Sequence, residues 1–258
     1  MNVRFILEVS GMFFIPLFVV LIPIFIGQRF GNYRIRKSPD MKSGPVGSAV
    51  GAAFGLLAFM LAFTFQIAAN RFDSRKELLL EEVTNIRTAY LRAGLIPEPI
   101  RSDTRKLLVE YADLRIELAN DQTKLESILS RSQQILDIFW DYAETLAGQD
   151  RSSEVYALFT TSVNDLVDSF NQRVTMTLEY RIPSVILWVL FFIAFFSMFS
   201  LGYNIGISGK GSFTINLLLA VIFAVVMFLI LALDRPEKGL AKLNQKPMLT
   251  LQKQLHGK

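Results

Sequence analysis

The second long apolar segment of the chain carries the side chains whose type and spacing most clearly suggest a function. Leu56, Phe59, Phe63 and Ile67 recur at intervals of three or four residues, which places them on one face of an α-helix. A ring of such side chains, contributed by several copies of a chain, forms a hydrophobic constriction that gates ions by dewetting. The alternative is that the aromatic rings contact lipid while the helix packs on another face.

A second face of the same segment carries small residues, among them Gly47, Gly51, Gly55, Ala58 and Ala62. Small residues let helix backbones approach closely, which is how membrane helices associate, so ordinary helix packing explains this stripe. If the segment instead lines a pore, Gly51 and Gly55 give the gate either flexibility or a close helix crossing.

Polar and basic side chains follow the aromatic ones at the end of the segment. Gln66 and Asn70 suit a pore mouth, although ordinary interfacial positions are the simpler interpretation for both. Arg71 and Arg75 come next, together with Lys76. Positive charge at a pore entrance attracts anions, so these residues weakly favour an anion-conducting pore.

A cluster of polar residues, Glu81, Glu82, Asn85 and Arg87, lies further along the same predicted helix. Taken alone, charges at this place are typical of a solvated helix face. The two glutamates oppose the anion preference of the preceding arginines, so the ion selectivity stays open. None of these residues has the spacing of a catalytic or metal-binding group.

The composition disfavours an enzyme. The chain has no cysteine, and its one histidine is His256, near the end. Thiolate nucleophiles and imidazole-ligated metals are therefore excluded, and no phosphate-binding loop or serine-nucleophile motif occurs. We predict no enzymatic activity, no cofactor and no metal site. The net charge of +4 is ordinary beside anionic lipid and indicates no nucleic-acid partner.

Four apolar segments are long enough to cross a bilayer. The first opens with Arg4 and is too long, and too poor in cleavage signals, for a signal peptide. Residues 1–69 hold the first two spans and residues 182–236 hold the other two. The predicted spans are residues 5–26, 46–69, 182–201 and 213–233.

Residues 70–181, between the second and third spans, are patterned as amphipathic helices throughout. No helix breaker precedes the first of these helices, and only Pro183 separates the last from the third span. The pattern predicts an all-α integral membrane protein: four transmembrane helices with a cytoplasmic helical bundle inserted between the second and third. Two long helices are expected to leave the bilayer. The basic C-terminal tail, residues 237–258, is expected to be loosely ordered on the membrane surface.

Four spans place the N-terminus, the insertion and the C-terminus on one side of the membrane. Lysine and arginine near the span ends are more numerous on that side, so the insertion and both termini are predicted to be cytoplasmic. The chain is then a multi-pass protein of the bacterial inner membrane.

The fourth span ends in the polar run Asp234, Arg235, Pro236, Glu237, Lys238, Gly239, whose start is, from the residues alone, a helix stop with a snorkelled arginine. This run belongs to a set with residues 57–68, Arg71, 81–86, Tyr90, Leu91 and Tyr111. In their order and spacing these segments resemble one family, the bacterial bestrophin-like membrane proteins of unknown function. One departure from the family pattern, Val83 in place of alanine, is minor.

The resemblance implies four spans, a helical insertion and, through the bestrophins, an oligomeric anion channel whose hydrophobic neck is lined by the second span. Phe59 and Phe63 match that neck, with Ile67 as a further candidate four residues on. No acidic calcium-binding run is present, so calcium gating is not implied. The leading hypothesis is a homo-oligomeric ion channel, whose partners are lipid, its own copies and inorganic ions. The alternative is a membrane-anchored helical sensor or interaction protein with no pore, with the bundle outside the cell.

Overall fold

The computed structural model of the protein describes the backbone of residues 3–37, 44–209, 213–235 and 241–257. Side chains are described from residue 10, residue 46 and residue 214 onward in the first three of these stretches. The described chain is helical apart from its connections. Its helices are α1 Val3–Lys37, α2 Gly44–Ala93, α3 Ile100–Asn120, α4 Leu125–Gln149, α5 Glu154–Leu178, α6 Ser184–Ser208, α7 Phe213–Asp234 and α8 Lys246–His256.

The chain divides into two compact units. The membrane unit comprises Met1–Phe72 and Arg181–Lys242, and the bundle unit comprises Asp73–Tyr180 and Leu243–Lys258. The membrane unit contains α1, α6, α7 and the first part of α2, whereas the bundle unit contains the rest of α2 with α3, α4, α5 and α8. The helix α2 is unbroken from Gly44 to Ala93.

Four helices are long and apolar enough to cross a membrane, which confirms the predicted all-α class with four spans. Pro16 and Pro23 both lie inside α1 without ending it. The prediction that the second span continues unbroken into the insertion is confirmed for α2, whereas the same prediction for the last helix of the insertion and the third span is wrong. There, α5 ends at Leu178 and α6 begins at Ser184, because Pro183 has an extended ψ of 129° and disfavours helix in the residue before it.

Glycine backbone contacts hold α1 against α6. A Cβ added to Gly27 would lie 2.1 Å from the carbonyl oxygen of Phe199, and one added to Gly202 would lie 2.1 Å from that of Ile24. These distances are far below van der Waals contact, so each position requires glycine. The glycines of this crossing are Gly27, Gly31, Gly202 and Gly206.

The bundle unit has a core of its own, with Tyr111, Phe139 and Phe159 fully buried. The helix α8 adds Met248, Leu251 and Leu255 to that core. The expectation of a loosely ordered tail is therefore wrong for this segment.

Polar contacts also attach α8 to α3. The Gln252 side chain donates a hydrogen bond to Asp113 Oδ1 at 2.7 Å, and His256 Nε2 lies 3.0 Å from the same oxygen. The chain's one histidine thus lies in the contact between α8 and α3.

Candidate functional site

The predicted gate residues lie on a face of α2 that the rest of the protomer leaves uncovered. Phe59 is 65% exposed and Phe63 is 50% exposed. Their rings are stacked, with centroids 6.4 Å apart and planes inclined by 12°. Leu56 is exposed beside them, whereas Ile67 is partly buried and packs against the core of the membrane unit. The structure thus groups Leu56 with the two phenylalanines and separates Ile67 from them.

The opposite face of α2 is anchored in the membrane unit. Leu57, Leu61, Thr64 and Ala68 are buried there. The buried Thr64 hydroxyl donates to the Met60 carbonyl of the preceding turn at 2.7 Å, which satisfies its polar group inside the helix. Because one side of α2 is fixed in this way, the direction in which the aromatic face points is fixed as well.

Among the described residues, the glycines of the α2 small-residue stripe make no close contact with another helix. A Cβ added to Gly47, Gly51 or Gly55 would meet no atom within 4 Å. Close backbone packing in the described part of the membrane unit belongs instead to α1 and α6. The glycines of α2 are therefore open to lipid or to another copy of the chain.

The predicted pore-mouth residues divide into two groups. Gln66 and Asn70 are both exposed, and Gln66 Nε2 donates to Asn70 Oδ1 at 2.6 Å, one helical turn away. Arg71 is only half-exposed, and Arg75 is buried, with 3% of its surface exposed. Gln66 and Asn70 therefore share the open side of α2, whereas Arg75 does not lie on an exposed surface. The pore-mouth role of these residues stays a prediction.

Glu82 lies in a buried charge cluster, so its interpretation as part of a solvated face is wrong. Its carboxylate is fully buried and accepts a hydrogen bond from the Tyr111 hydroxyl at 2.6 Å. Arg115 Nε lies 3.0 Å from Oε1, and Arg173 Nη1 donates to Oε2. One carboxylate thereby joins α2, α3 and α5 in the bundle unit, which satisfies the rule that buried charges are paired and hydrogen-bonded.

Burial perturbs the groups around Glu82. It raises the pKa of Tyr111 to about 12, so the phenol stays protonated and keeps donating to the carboxylate. It lowers the pKa of Arg173 to about 10, which still leaves the guanidinium charged at neutral pH. The Arg115 guanidinium also lies 5.6 Å from the centroid of the Phe170 ring, within the range of a cation–π contact.

The other two helix-α2 residues of the family motif differ in their roles. Glu81, next to Glu82, is exposed. Asn85 donates from Nδ2 to the carbonyl oxygen of Asp165 at 3.0 Å and so connects α2 with α5. Glu82 and Asn85 therefore hold the bundle unit together, and neither is placed to act on a substrate.

The motif at the end of α7 also has a structural role. Asp234 is buried, and its Oδ1 accepts a hydrogen bond from the Ile182 amide at 2.8 Å. This bond ties the C-terminal end of α7 to the segment that leads into α6, where the helix itself cannot satisfy the backbone N–H groups. A plain helix stop does not describe this arrangement. Arg235 is half-buried, and Pro236 lies outside the described residues.

Among the described residues, no group of three or more histidine, cysteine and carboxylate side chains converges to hold a metal ion. The chemistry available to the site is therefore that of its exposed α2 face: two stacked aromatic rings, a neighbouring leucine and a hydrogen-bonded amide pair. Such a surface can exclude or admit hydrated ions, and it offers no nucleophile or general base.

Comparison with protein-family models identifies one family. A family model for the Bestrophin-like domain matches residues 13–248. No curated protein matches the chain.

Solved structures give the fold. A mutant of a bacterial bestrophin homologue from Klebsiella pneumoniae matches with a TM-score of 0.66 at 14% identity, over 100% of this chain and 97% of that one. The same homologue, solved by zinc SAD phasing, matches with a TM-score of 0.63 at 15% identity, over 96% of this chain and 97% of that one. A second mutant of the homologue matches with a TM-score of 0.62 at 16% identity, over 97% of this chain and 98% of that one. At these identities the likeness establishes a shared fold.

Proposed function

The chain belongs to the Bestrophin-like family, and we propose that copies of it assemble in the membrane into a homo-oligomeric ion channel. Family membership and four apolar helices support this function. The observation that carries it is the uncovered aromatic face of α2, on a helix whose other side is buried in the membrane unit. A symmetric ring of copies would bring these faces together around one axis.

The gate in this proposal consists of Phe59 and Phe63. Four residues of helix separate them by about 6 Å along the axis, so each copy contributes to two adjacent hydrophobic rings. A narrow apolar constriction of that depth dewets, and an ion must then shed its water to pass. Gly51 and Gly55 lie before the rings on the same helix and leave room for the copies to approach each other. Leu56 adds an exposed apolar side chain next to the rings.

The gate is tested with the full-length protein reconstituted in liposomes. Replacing both phenylalanines by alanine removes the constriction, and ion flux should rise severalfold. The matched control is Phe192→Ala on α6, where the phenylalanine is 64% exposed and also contacts a neighbouring ring, that of Phe196, at a tilted angle. We expect the control to leave flux unchanged. Equal flux from the wild type and the Phe59/Phe63 variant, with the oligomer intact, would rule out this gate.

The membrane orientation is part of the proposal. With the bundle unit and both termini in the cytoplasm, a reporter that is active only in the cytoplasm would be active when fused at Asp121, between α3 and α4. The same reporter fused at Gly209, which ends α6 in a left-handed conformation, would be inactive. The opposite pattern would place the bundle outside the cell and favour a sensor without a pore.

A further inference from the structure

The last turns of α1 carry basic side chains that lack a counter-charge. Arg29, Arg34, Arg36 and Lys37 are all exposed, and within the described chain no hydrogen bond or ion pair engages any of them. Among the described side chains of the membrane unit, the only carboxylate is that of Asp234. Whether the basic end of α1 is neutralised within its own unit therefore depends on where Asp234 lies.

Asp234 and the basic end of α1 lie beside opposite ends of α6. The Asp234 side chain accepts from the Ile182 amide, just before α6 begins. The last turns of α1 instead pack beside the end of α6, where a Cβ added to Gly31 would lie 2.4 Å from the Tyr203 carbonyl oxygen and 3.0 Å from the Gly206 Cα. The 25 residues of α6 extend over about 37 Å, which exceeds the hydrocarbon core of about 30 Å. The carboxylate is therefore on the other side of the bilayer from the basic end.

Two of the arginines and a tyrosine share the side of α1 that faces away from α6. The glycine side of α1, which includes Gly27, lies against the α6 backbone. At about 100° per residue, Arg29, Tyr33 and Arg36 fall within about 60° of one another on the opposite side, and all three are exposed. Arg34 is turned away from Arg36 by about 160°. The basic residues thus differ in direction although they lie in the same turns.

Exposed apolar side chains continue the same side of α1 toward the middle of the membrane. They recur at intervals of three or four residues, which keeps them in line with the arginines. Their 11-residue length is about 16 Å, which is the acyl depth of one leaflet, half of the hydrocarbon core. We call this surface the α1 lipid face, and its positions are Ile15, Phe18, Ile22, Ile26, Arg29, Tyr33 and Arg36.

We propose that the α1 lipid face binds an anionic phospholipid, which supplies the counter-charge that the described part of the membrane unit lacks on this side. Arg29 and Arg36 are about 10 Å apart along the axis, and their long side chains reach toward one headgroup. A guanidinium binds phosphate through paired hydrogen bonds, and the Tyr33 hydroxyl is a further donor. The acyl chains then lie along Ile26 and Ile22. The site does not depend on whether the protein conducts ions.

The test is the affinity of the full-length protein in detergent for dioleoylphosphatidylglycerol, measured by native mass spectrometry, with dioleoylphosphatidylcholine as the neutral reference. The wild type should bind the anionic lipid more tightly. One basic residue at an anionic lipid surface contributes about fivefold to binding, so Arg29→Gln with Arg36→Gln should weaken phosphatidylglycerol binding about thirtyfold. Phosphatidylcholine binding should not change. Arg36→Lys keeps the charge and should keep most of the affinity.

The matched control removes one charge from the other side of the same helical turns. Arg34 and Arg36 are both exposed, so neither Arg34→Gln nor Arg36→Gln should disturb the fold. Arg36→Gln should weaken phosphatidylglycerol binding about fivefold, whereas Arg34→Gln should leave it unchanged. The pair separates a site on one face of α1 from a general attraction of a basic segment for anionic lipid, to which both arginines would contribute alike.

Three results would overturn the proposal. The first is equal affinity of the wild type for the two lipids, or an unchanged phosphatidylglycerol affinity in the Arg29/Arg36 variant. The second is equal weakening by Arg34→Gln and Arg36→Gln, which would reduce the site to diffuse attraction. The third is full displacement of phosphatidylglycerol by millimolar inorganic phosphate, which would show that the arginines hold a free ion and that the apolar part of the face contributes nothing.

Discussion

Two sets of glycines spaced four residues apart lie in the membrane unit, and they have opposite surroundings. Gly27 and Gly202 each touch backbone of the neighbouring helix, so that even a methyl group would collide. Gly51 and Gly55 touch nothing within 4 Å. The same sequence pattern thus marks a closed helix crossing in one place and an open helix face in the other.

The difference assigns different tasks to the helices. The crossing of α1 with α6 is complete within one chain and acts as scaffold. The open face of α2 carries small residues and stacked aromatic rings with no partner among the described residues of its unit, which is the surface expected of a helix that meets its own copies. Adjacent residues of α2 repeat this contrast in the bundle unit, where Glu82 is buried and Glu81 is exposed.

The largest effect should come from filling the closed crossing. Gly202→Leu places a side chain against the Ile24 carbonyl, and we expect a loss of about 3 kcal/mol or more of stability, enough to prevent folding. Gly51→Leu meets open space and should leave the unfolding temperature of the protomer unchanged. The measurement is thermal unfolding in detergent, followed by size-exclusion chromatography. Equal unfolding temperatures for the two variants would contradict the contrast between the closed crossing of α1 with α6 and the open face of α2.

Substitutions of the two neighbouring glutamates, Glu81 and Glu82, should differ nearly as much in their cost to stability. Glu82→Gln leaves the buried Arg115 and the partly buried Arg173 without a counter-charge. Breaking a buried ion pair in this way costs about 3–5 kcal/mol. Glu81→Gln changes an exposed side chain and should cost about 0.5 kcal/mol at most. The free energy of unfolding in denaturant measures both. A small cost at Glu82 would mean that the cluster is hydrated and not a structural tie.

A smaller effect is expected at the end of α7. Asp234→Ala removes the acceptor of the buried Ile182 amide and should cost about 1–3 kcal/mol. Asp234→Asn keeps an oxygen at the same place and should cost less, which separates the hydrogen bond from the charge. Thermal unfolding of the two variants supplies the comparison, and a milder effect from alanine than from asparagine would contradict the proposed tie.

The four spans and the continuity of α2 could be predicted from the sequence, because length, hydropathy and the absence of helix breakers depend only on local residues. The break before α6 could not be predicted, because proline is also common in the first turn of a helix and does not by itself mark a joint. In the structure Pro183 is extended and precedes the helix. The helix α8 was missed although Met248, Leu251 and Leu255 carry helical spacing, since a short basic tail resembles a surface segment.

The partners of Glu82 could not be predicted with the same rules. Arg115 follows Tyr111 by one helical turn and Arg173 follows Phe170, so both arginines stand at core-facing positions of amphipathic helices. A charged residue at such a position is a signal of a buried pair, but only the fold shows which carboxylate it meets. For the same reason, the sequence alone could not separate Glu81 from Glu82 or reveal that Arg75 is buried.

The central claim is that α2 faces a shared axis, and the position of Phe63 in the assembled protein tests it most directly. An electron cryomicroscopy structure of the full-length protein in lipid nanodiscs would give the symmetry and the helix nearest the axis. We expect several copies with α2 innermost and the Phe59 and Phe63 rings facing each other across a narrow lumen. A single copy, or an assembly whose rings point into the acyl chains, would contradict the account.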